Sequence, residues 1–148
     1  MPLIVRWPAQ IHPGTRCDQL VGLNDWMATC ADLVGATLPA NAGEDSVSLR
    51  SLFTEPNHAV RDHLVHHSIN GKFALREGDW KLIRFYGRAD DGSDEHELYD
   101  LSSDPGERLN VFNEKPEIVA RLRRLLDEFL LDTQAVIPRF NPDYDKAR

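Results

Sequence analysis

Three histidines stand within five residues, His63, His66 and His67. Imidazole binds transition metals and changes charge near neutral pH, so the cluster invites a metal or acid–base reading. The spacing argues against a shared ion. On a strand, His63, Val65 and His67 point one way, and Leu64, His66 and Ser68 the other. His63 and His67 would then lie about 13 Å apart, at roughly 3.3 Å per residue. The pattern favours structural or pocket-lining histidines over a metal site. His12, in the turn-rich loop Pro8–Gly14, has no second ligand at a metal spacing and reads as solvated. Asp90-Asp91-Gly92 lacks the alternating ligands and distal Glu of a calcium loop. Cys17 and Cys30 set no disulfide framework and read as two free thiols.

The elements that position these residues begin with Gly71–Phe85, GKFALREGDWKLIRF. It reads as a tight β-hairpin with arms Phe73–Arg76 and Trp80–Phe85. Gly78 supplies the positive φ of a short connection, in either a type I turn with a bulge or a type I′ turn. Trp80, Leu82 and Arg84 share one face, and Lys81, Ile83 and Phe85 the other, which predicts a central strand covered on both sides. His63–Ser68 reads as a strand before it and Glu97–Leu101 as a strand after it, with Gly87–Glu97 a polar loop. Ser103–Gly106 is a turn. Asn113 is the candidate cap of a last helix whose apolar face is Ile118, Val119, Leu122, Leu125, Leu126, Phe129 and Leu130. Glu117–Arg121, Arg123–Asp127 and Arg124–Glu128 are i, i+4 pairs on its solvated side. The strands around the hairpin are the surface for that helix.

Upstream, Pro2–Trp7 reads as a buried strand, PLIVRW, with no neighbour to pair with. Asn24 or Asp25 can cap a helix carrying Trp26, Thr29, Cys30, Leu33 and Val34, closed by Gly35. A short helix from Ser46 or Ser48 carries Leu49, Leu52 and Phe53, and Thr54–Ala59 looks like a boundary. Thr133–Arg148 reads as an irregular tail.

Length alone, 148 residues, predicts one domain able to bury roughly 70% of its unfolded surface. With 24 acidic and 17 basic side chains the net charge is −7. That repels phosphate backbones and anionic lipid, which argues against nucleic-acid or membrane partners. No apolar run reaches the roughly 18 residues of a membrane span, and the N-terminal stretch has no signal-peptide pattern.

Several phrases fit together in order and spacing. Pro2–Gly14, PLIVRWPAQIHPG, resembles the PLIVRWPG-x-I-x-PG segment of type I sulfatases. Asp25–Thr29 with Gly35 resembles their D-x-x-P-T…G helix, and Asp45–Leu49 their DG-x-SL. Ala74–Ile83 and Leu98–Asn110 resemble their ALR-x-G-x-WKLI and LYDL-x-x-DP-x-E-x-x-N. The resemblance covers about residues 2–131. The departures are Ala9 for Gly, Ala28 for Pro and Ser46 for Gly, all backbone-shaping positions. It implies an α/β (α+β) fold. The last strand and helix of an alkaline-phosphatase-like large domain would occupy residues 1–55. A small antiparallel sheet with a long C-terminal helix would follow over 56–132, then an irregular tail over 133–148.

The resemblance also implies the chemistry. In the family the nucleophile is a formylglycine made from the Cys of a C-x-P-S-R motif, and calcium sits among Asp and Asn side chains. Cys17 and Cys30 both lack Pro at +2 and Arg at +4. The family's metal ligands and its sulfate-binding Lys and His lie upstream of PLIVRWPG. No catalytic or metal residue carries over, and no cofactor is expected in this chain; Asp25 and Asp45 match motifs that look architectural. His66 and His67 are candidates for the rim of the substrate cleft. The expectation is the C-terminal portion of a sulfuric ester hydrolase, inactive alone. The alternatives are a non-enzymatic module, self-associating or joining a catalytic chain through the Leu3–Trp7 edge, and a fragment of a superfamily phosphodiesterase. Family members are commonly periplasmic, secreted or lysosomal.

Overall fold

The computed structural model describes residues 3–69, 71–87 and 93–135. The chain divides into two compact units, Met1–Leu64 and Val65–Arg148. In chain order the elements are α1 (Asp25–Val34), a 3-10 turn (Arg50–Phe53), β1 (His63–His67), β2 (Lys72–Glu77), β3 (Trp80–Phe85), β4 (Glu95–Asp100) and α2 (Pro116–Asp132). The division between the units falls inside β1.

The second unit is built on a four-stranded sheet of order β1-β2-β3-β4. β2 and β3 form the hairpin, with Glu77 opposite Trp80 and Leu75 opposite Leu82. Its turn differs from both types the sequence suggested. Only Gly78–Asp79 lie between the paired ends, and Gly78 has φ +55° while Asp79 is not among the positive-φ residues. That is the requirement of a type II′ connection, whose twist matches the flanking strands. β4 starts earlier than the composition of its loop suggested. Phe85 pairs with Glu95 and Arg84 with His96, so the ladder draws two acidic-loop residues into the sheet.

Leu75, Leu82 and Leu98 sit opposite one another across three strands and are fully buried. α2 lays Val119, Leu122, Leu126 and Leu130 over them, with Ile118, Leu125 and Phe129 partly buried at the margins. Each fully buried aliphatic side chain contributes about 1.5–3 kcal/mol. The helix begins at Pro116, whose fixed φ suits a first turn and whose missing N–H is no loss there. Asn113 therefore does not cap it; Lys115 precedes it and makes no side-chain cap bond. Of the three i, i+4 pairs, Arg124–Glu128 forms at 3.7 Å. Arg121 instead pairs with Glu77 of β2, and Asp127 with Arg84 of β3 at 2.6 Å. These two ties pin the helix to the sheet.

The first unit has little apolar core. Leu49, Leu52, Phe53 and Leu64 are buried, and the Trp7 ring meets Phe53 edge-on at 5.8 Å. Residues 3–7 form no strand, contrary to the sequence expectation, and Ile4 is 89% exposed. A strand exists only by pairing, and no described segment supplies a partner ladder for PLIVRW. α1 closes as expected on Gly35 at φ +70°. Asn24 precedes α1 without a side-chain cap bond.

The core arrangement predicts a specific contrast. Leu122→Ala or Leu126→Ala should lower the unfolding free energy by about 2–5 kcal/mol in urea titrations. Leu131→Ala, at a site 81% exposed on the same helix, should change it by less than about 0.5 kcal/mol. Equal effects would contradict the packing described.

Candidate functional site

β1 carries the histidine cluster. Leu64 is buried, His63 and Val65 are half-buried, and His66 and His67 are exposed. The His67 ring stacks on the buried Phe73 at 4.3 Å with planes 14° apart, which fixes the orientation of one imidazole. Alternation along the strand sends His66 to the other side. The two do not converge on one point. Among the described residues, no group of three or more His, Cys, Asp and Glu is arranged to hold a metal ion. Cys17 and Cys30 are both free and exposed. His12 is exposed, and its carbonyl accepts from Thr15 Oγ1 at 2.8 Å. Asp90-Asp91-Gly92 lies outside the described residues.

The most ordered polar constellation lies elsewhere. Asp25, at the start of α1, is completely buried. Its Oδ2 accepts from Gly22 N at 2.6 Å; its Oδ1 accepts from Val47 N at 3.1 Å and pairs with Arg61 Nη2. One turn on, Thr29 is equally buried. Its hydroxyl donates to Asp25 O at 2.6 Å and accepts from Leu49 N at 2.9 Å. Asp32, a turn further, accepts from Ser48 Oγ at 2.6 Å and from Arg50 at 3.0 Å, and these bonds hold its carboxyl below the usual carboxylate range. Asp25, Thr29, Ser48 and Leu49 are the residues of the D-x-x-P-T and DG-x-SL phrases. The Asp25 and Thr29 side-chain oxygens are used internally, so these phrases describe a clamp between α1 and residues 45–50, at whose edge Arg61 Nε is buried without a partner among the described residues.

Two departures from the sulfatase pattern meet in that clamp. Ala28 lies in the first turn of α1, where backbone N–H groups lack helical partners. Its N–H donates to Ser46 Oγ at 2.8 Å, and the same hydroxyl donates to Asn24 O at 2.7 Å. The usual Pro at 28 would need no acceptor, and the usual Gly at 46 would offer none. In this chain the Ser46 hydroxyl supplies the acceptor that the Ala28 N–H needs.

A charged group in the second unit was not singled out from the sequence, because His96 reads there as part of an acidic loop. On the sheet it pairs with Arg84 and its ring stacks on Phe112 at 5.5 Å. Arg84 bonds Asp94 at 2.8 Å and Asp127 at 2.6 Å, and lies 4.7 Å from the Tyr86 ring centre. Among the described residues, His96 Nε2 and Tyr86 Oη are buried without a hydrogen-bond partner. Burial first, then the nearby charges of Arg123 and Arg84, hold the His96 imidazole below its ordinary value. Burial likewise raises the Tyr86 phenol. Burial opposes ionisation of Asp94, but the bonds from Arg84 and from Gly87 N prevail and keep its carboxyl low. With the acids consumed by Arg84, the group buttresses α2 against β3.

Comparison with known proteins places this framework. A family model described as N-sulphoglucosamine sulphohydrolase, C-terminal, matches residues 1–134. The N-acetylgalactosamine-6-O-sulfatase of Bacteroides thetaiotaomicron is 33% identical over 136 residues, 86% of this chain and 26% of that protein. Arylsulfatase A of Homo sapiens is 31% identical over 150 residues, 84% of this chain and 29% of that protein. A solved structure from glycosaminoglycan metabolism in Bacteroides thetaiotaomicron superposes with a TM-score of 0.71 at 30% identity, covering 85% of this chain and 28% of that one. A second, in complex with its substrate D-glucosamine-2-N,6-O-disulfate, gives 0.70 at 25% identity over 86% and 27%. The chain thus spans about a quarter of the length of the curated relatives it matches.

Two tests follow from the geometry. Ser46→Gly and Ala28→Pro should each destabilise the chain, and the double variant should lose less than their sum, by a coupling of about 1 kcal/mol. Strict additivity in the urea-unfolding cycle would mean the contact contributes nothing. For His96, the neutral imidazole is the form the fold accommodates. Stability linked to it is complete above about pH 6.5 and falls as pH drops through the lowered folded-state value. Between pH 7.5 and 5.5, wild type should lose more stability than His96→Gln; parallel profiles would remove His96 from the acid response.

Proposed function

The chain belongs to the N-sulphoglucosamine sulphohydrolase C-terminal family, and we propose on this basis that it works as the C-terminal portion of a sulfuric ester hydrolase. The observation that carries this reading is the match over residues 1–134, with sulfatase relatives aligned across most of the chain. Sulfate-ester cleavage calls for a nucleophile, a cation that holds the sulfate, and positive charge against the developing anion. The exposed thiols of Cys17 and Cys30 stand outside any C-x-P-S-R motif. The chemistry therefore resides in the remainder of the sulfatase fold, and this portion alone turns over no ester. Formylglycine and calcium belong to that remainder.

The role left to this portion is at the rim. His66 and His67 are exposed on β1, and the stacking of His67 on Phe73 holds its ring in place without a large ordering cost on binding. Imidazole ring nitrogens can hydrogen-bond to hydroxyl or amide groups of a sugar. Two similar proteins are named for 6-O-sulfated N-acetylated amino sugars, which makes a sulfated amino sugar the proposed substrate class. In the intact sulfatase containing this segment, His66→Ala and His67→Ala should raise KM about three- to tenfold for a sulfated amino sugar, with kcat little changed; a lost neutral hydrogen bond costs about 0.5–1.5 kcal/mol. Steady-state kinetics that match wild type on every sulfated sugar would remove both residues from the rim. The purified chain with calcium should release no sulfate from an aryl sulfate; sustained turnover would overturn the reading.

A further inference from the structure

The orientation of His67 depends on more than the ring it lies against. Phe73 is 3% exposed and stands opposite Arg84 in the β2–β3 ladder. Its phenyl ring meets Tyr86, just past β3, in a T-shaped contact, with centroids 5.9 Å apart and planes at 87°. The Arg84 guanidinium in turn lies 4.7 Å from the Tyr86 ring centre. Two carboxylates hold that guanidinium, Asp94 before β4 at 2.8 Å and Asp127 of α2 at 2.6 Å. Imidazole, phenyl, phenol and guanidinium thus make one continuous line of contacts from the exposed His67 to α2.

The line is held by rings and a cation. Tyr86 Oη is buried without a hydrogen-bond partner among the described residues, so the hydroxyl does not place its ring. Phe73 and Arg84 do. A cation over an aromatic face is attracted by the ring quadrupole, the more so where water is kept away. The Arg84 side chain is only 19% exposed, and its two ion pairs fix it, which makes it a firm backstop for Tyr86. A stacked ring keeps its angle only while the ring beneath keeps its own. Without the backstop Phe73 gains room to tilt, and the exposed imidazole tilts with it.

We infer that Tyr86 and Arg84 are positioning residues for His67. The Tyr86 ring, backed by Arg84, sets the angle at which the imidazole meets a sugar at the rim. Neither is a catalytic residue; both act through Phe73. This rests on the rim reading of His67 and adds what aims it. Through Asp127, it also ties contact with the sugar to the seating of α2.

The test reads the imidazole itself by proton NMR of this chain. The His67 ring protons, identified by their loss in His67→Gln, should resonate upfield of those of the exposed His12, because they lie over the Phe73 ring. Tyr86→Leu should move them most of the way to the His12 position, and Arg84→Gln part of the way. Tyr86→Phe keeps the ring and removes only the hydroxyl, so it should leave them unmoved. Arg84→Gln retains the Tyr86 ring and carries the test where Tyr86→Leu does not fold. Unmoved His67 protons in the folded Tyr86→Leu or Arg84→Gln chain would overturn the proposal. So would a shift in Tyr86→Phe as large as in Tyr86→Leu. In the intact sulfatase containing this segment, Tyr86→Leu should raise KM about two- to fivefold for a sulfated amino sugar, with kcat little changed. Combined with His67→Ala it should add nothing, since both changes act through one ring. Additive losses would overturn the positioning role. Wild-type kinetics in His67→Ala would sink the rim reading alone; the imidazole shifts would then still support or overturn the holding of the ring.

Discussion

The first unit depends on one buried carboxylate. Asp25 has no exposed surface, yet it satisfies two backbone N–H groups and one guanidinium. A charge in that position is tolerable only because each oxygen is occupied. The consequence reaches beyond the local turn. By holding Gly22 and Val47 to the start of α1, Asp25 fixes the rotation of the helix. That rotation puts Thr29 against Leu49 and leaves Met27 and Val34 outward. A polar clamp thus organises a region with few buried apolar side chains.

The second unit solves the same problem with leucines. Leu75, Leu82 and Leu98 form a buried row that α2 covers with Leu122 and Leu126. Polar residues of the family phrases then lock the edges. Lys81 reaches Glu107 at 2.6 Å. Asp104 accepts from Arg108 N and Leu109 N, closing a turn in which Glu107 holds φ +54°. Asn110 Oδ1 accepts from Leu98 N and Phe112 N, joining the loop to β4. The WKLI and LYDL phrases therefore meet one another in space. Their polar residues are spent on loop geometry.

Much of this was legible in the sequence. The Gly78 turn between two strand-like arms and the apolar spacing from Ile118 to Leu130 gave the hairpin and the covering helix, although burial in Trp80–Phe85 falls on Leu82 and Phe85 rather than on alternate residues. PLIVRW misled because β-branched runs report a preference for strand, while a strand itself requires a partner. The start of β4 was hidden by the acidic residues around His96, which pairing with Arg84 and Phe85 draws into the sheet. Arg121 and Asp127 were assigned to helical neighbours because i, i+4 spacing is visible in one dimension. Their partners, Glu77 and Arg84, are more than forty residues away in sequence. The clamp around Asp25 was visible as motif residues, but its partners at 47, 49 and 61 are set by tertiary structure alone.

The central claim is that the family residues of the first unit hold a frame rather than perform chemistry. Equilibrium urea unfolding of the Asp25→Asn chain tests it most directly. The substitution keeps the side-chain shape but leaves Arg61, whose side chain is only 11% exposed, without its counter-charge. The predicted loss is about 3–5 kcal/mol of unfolding free energy. A loss below about 1 kcal/mol would contradict the account.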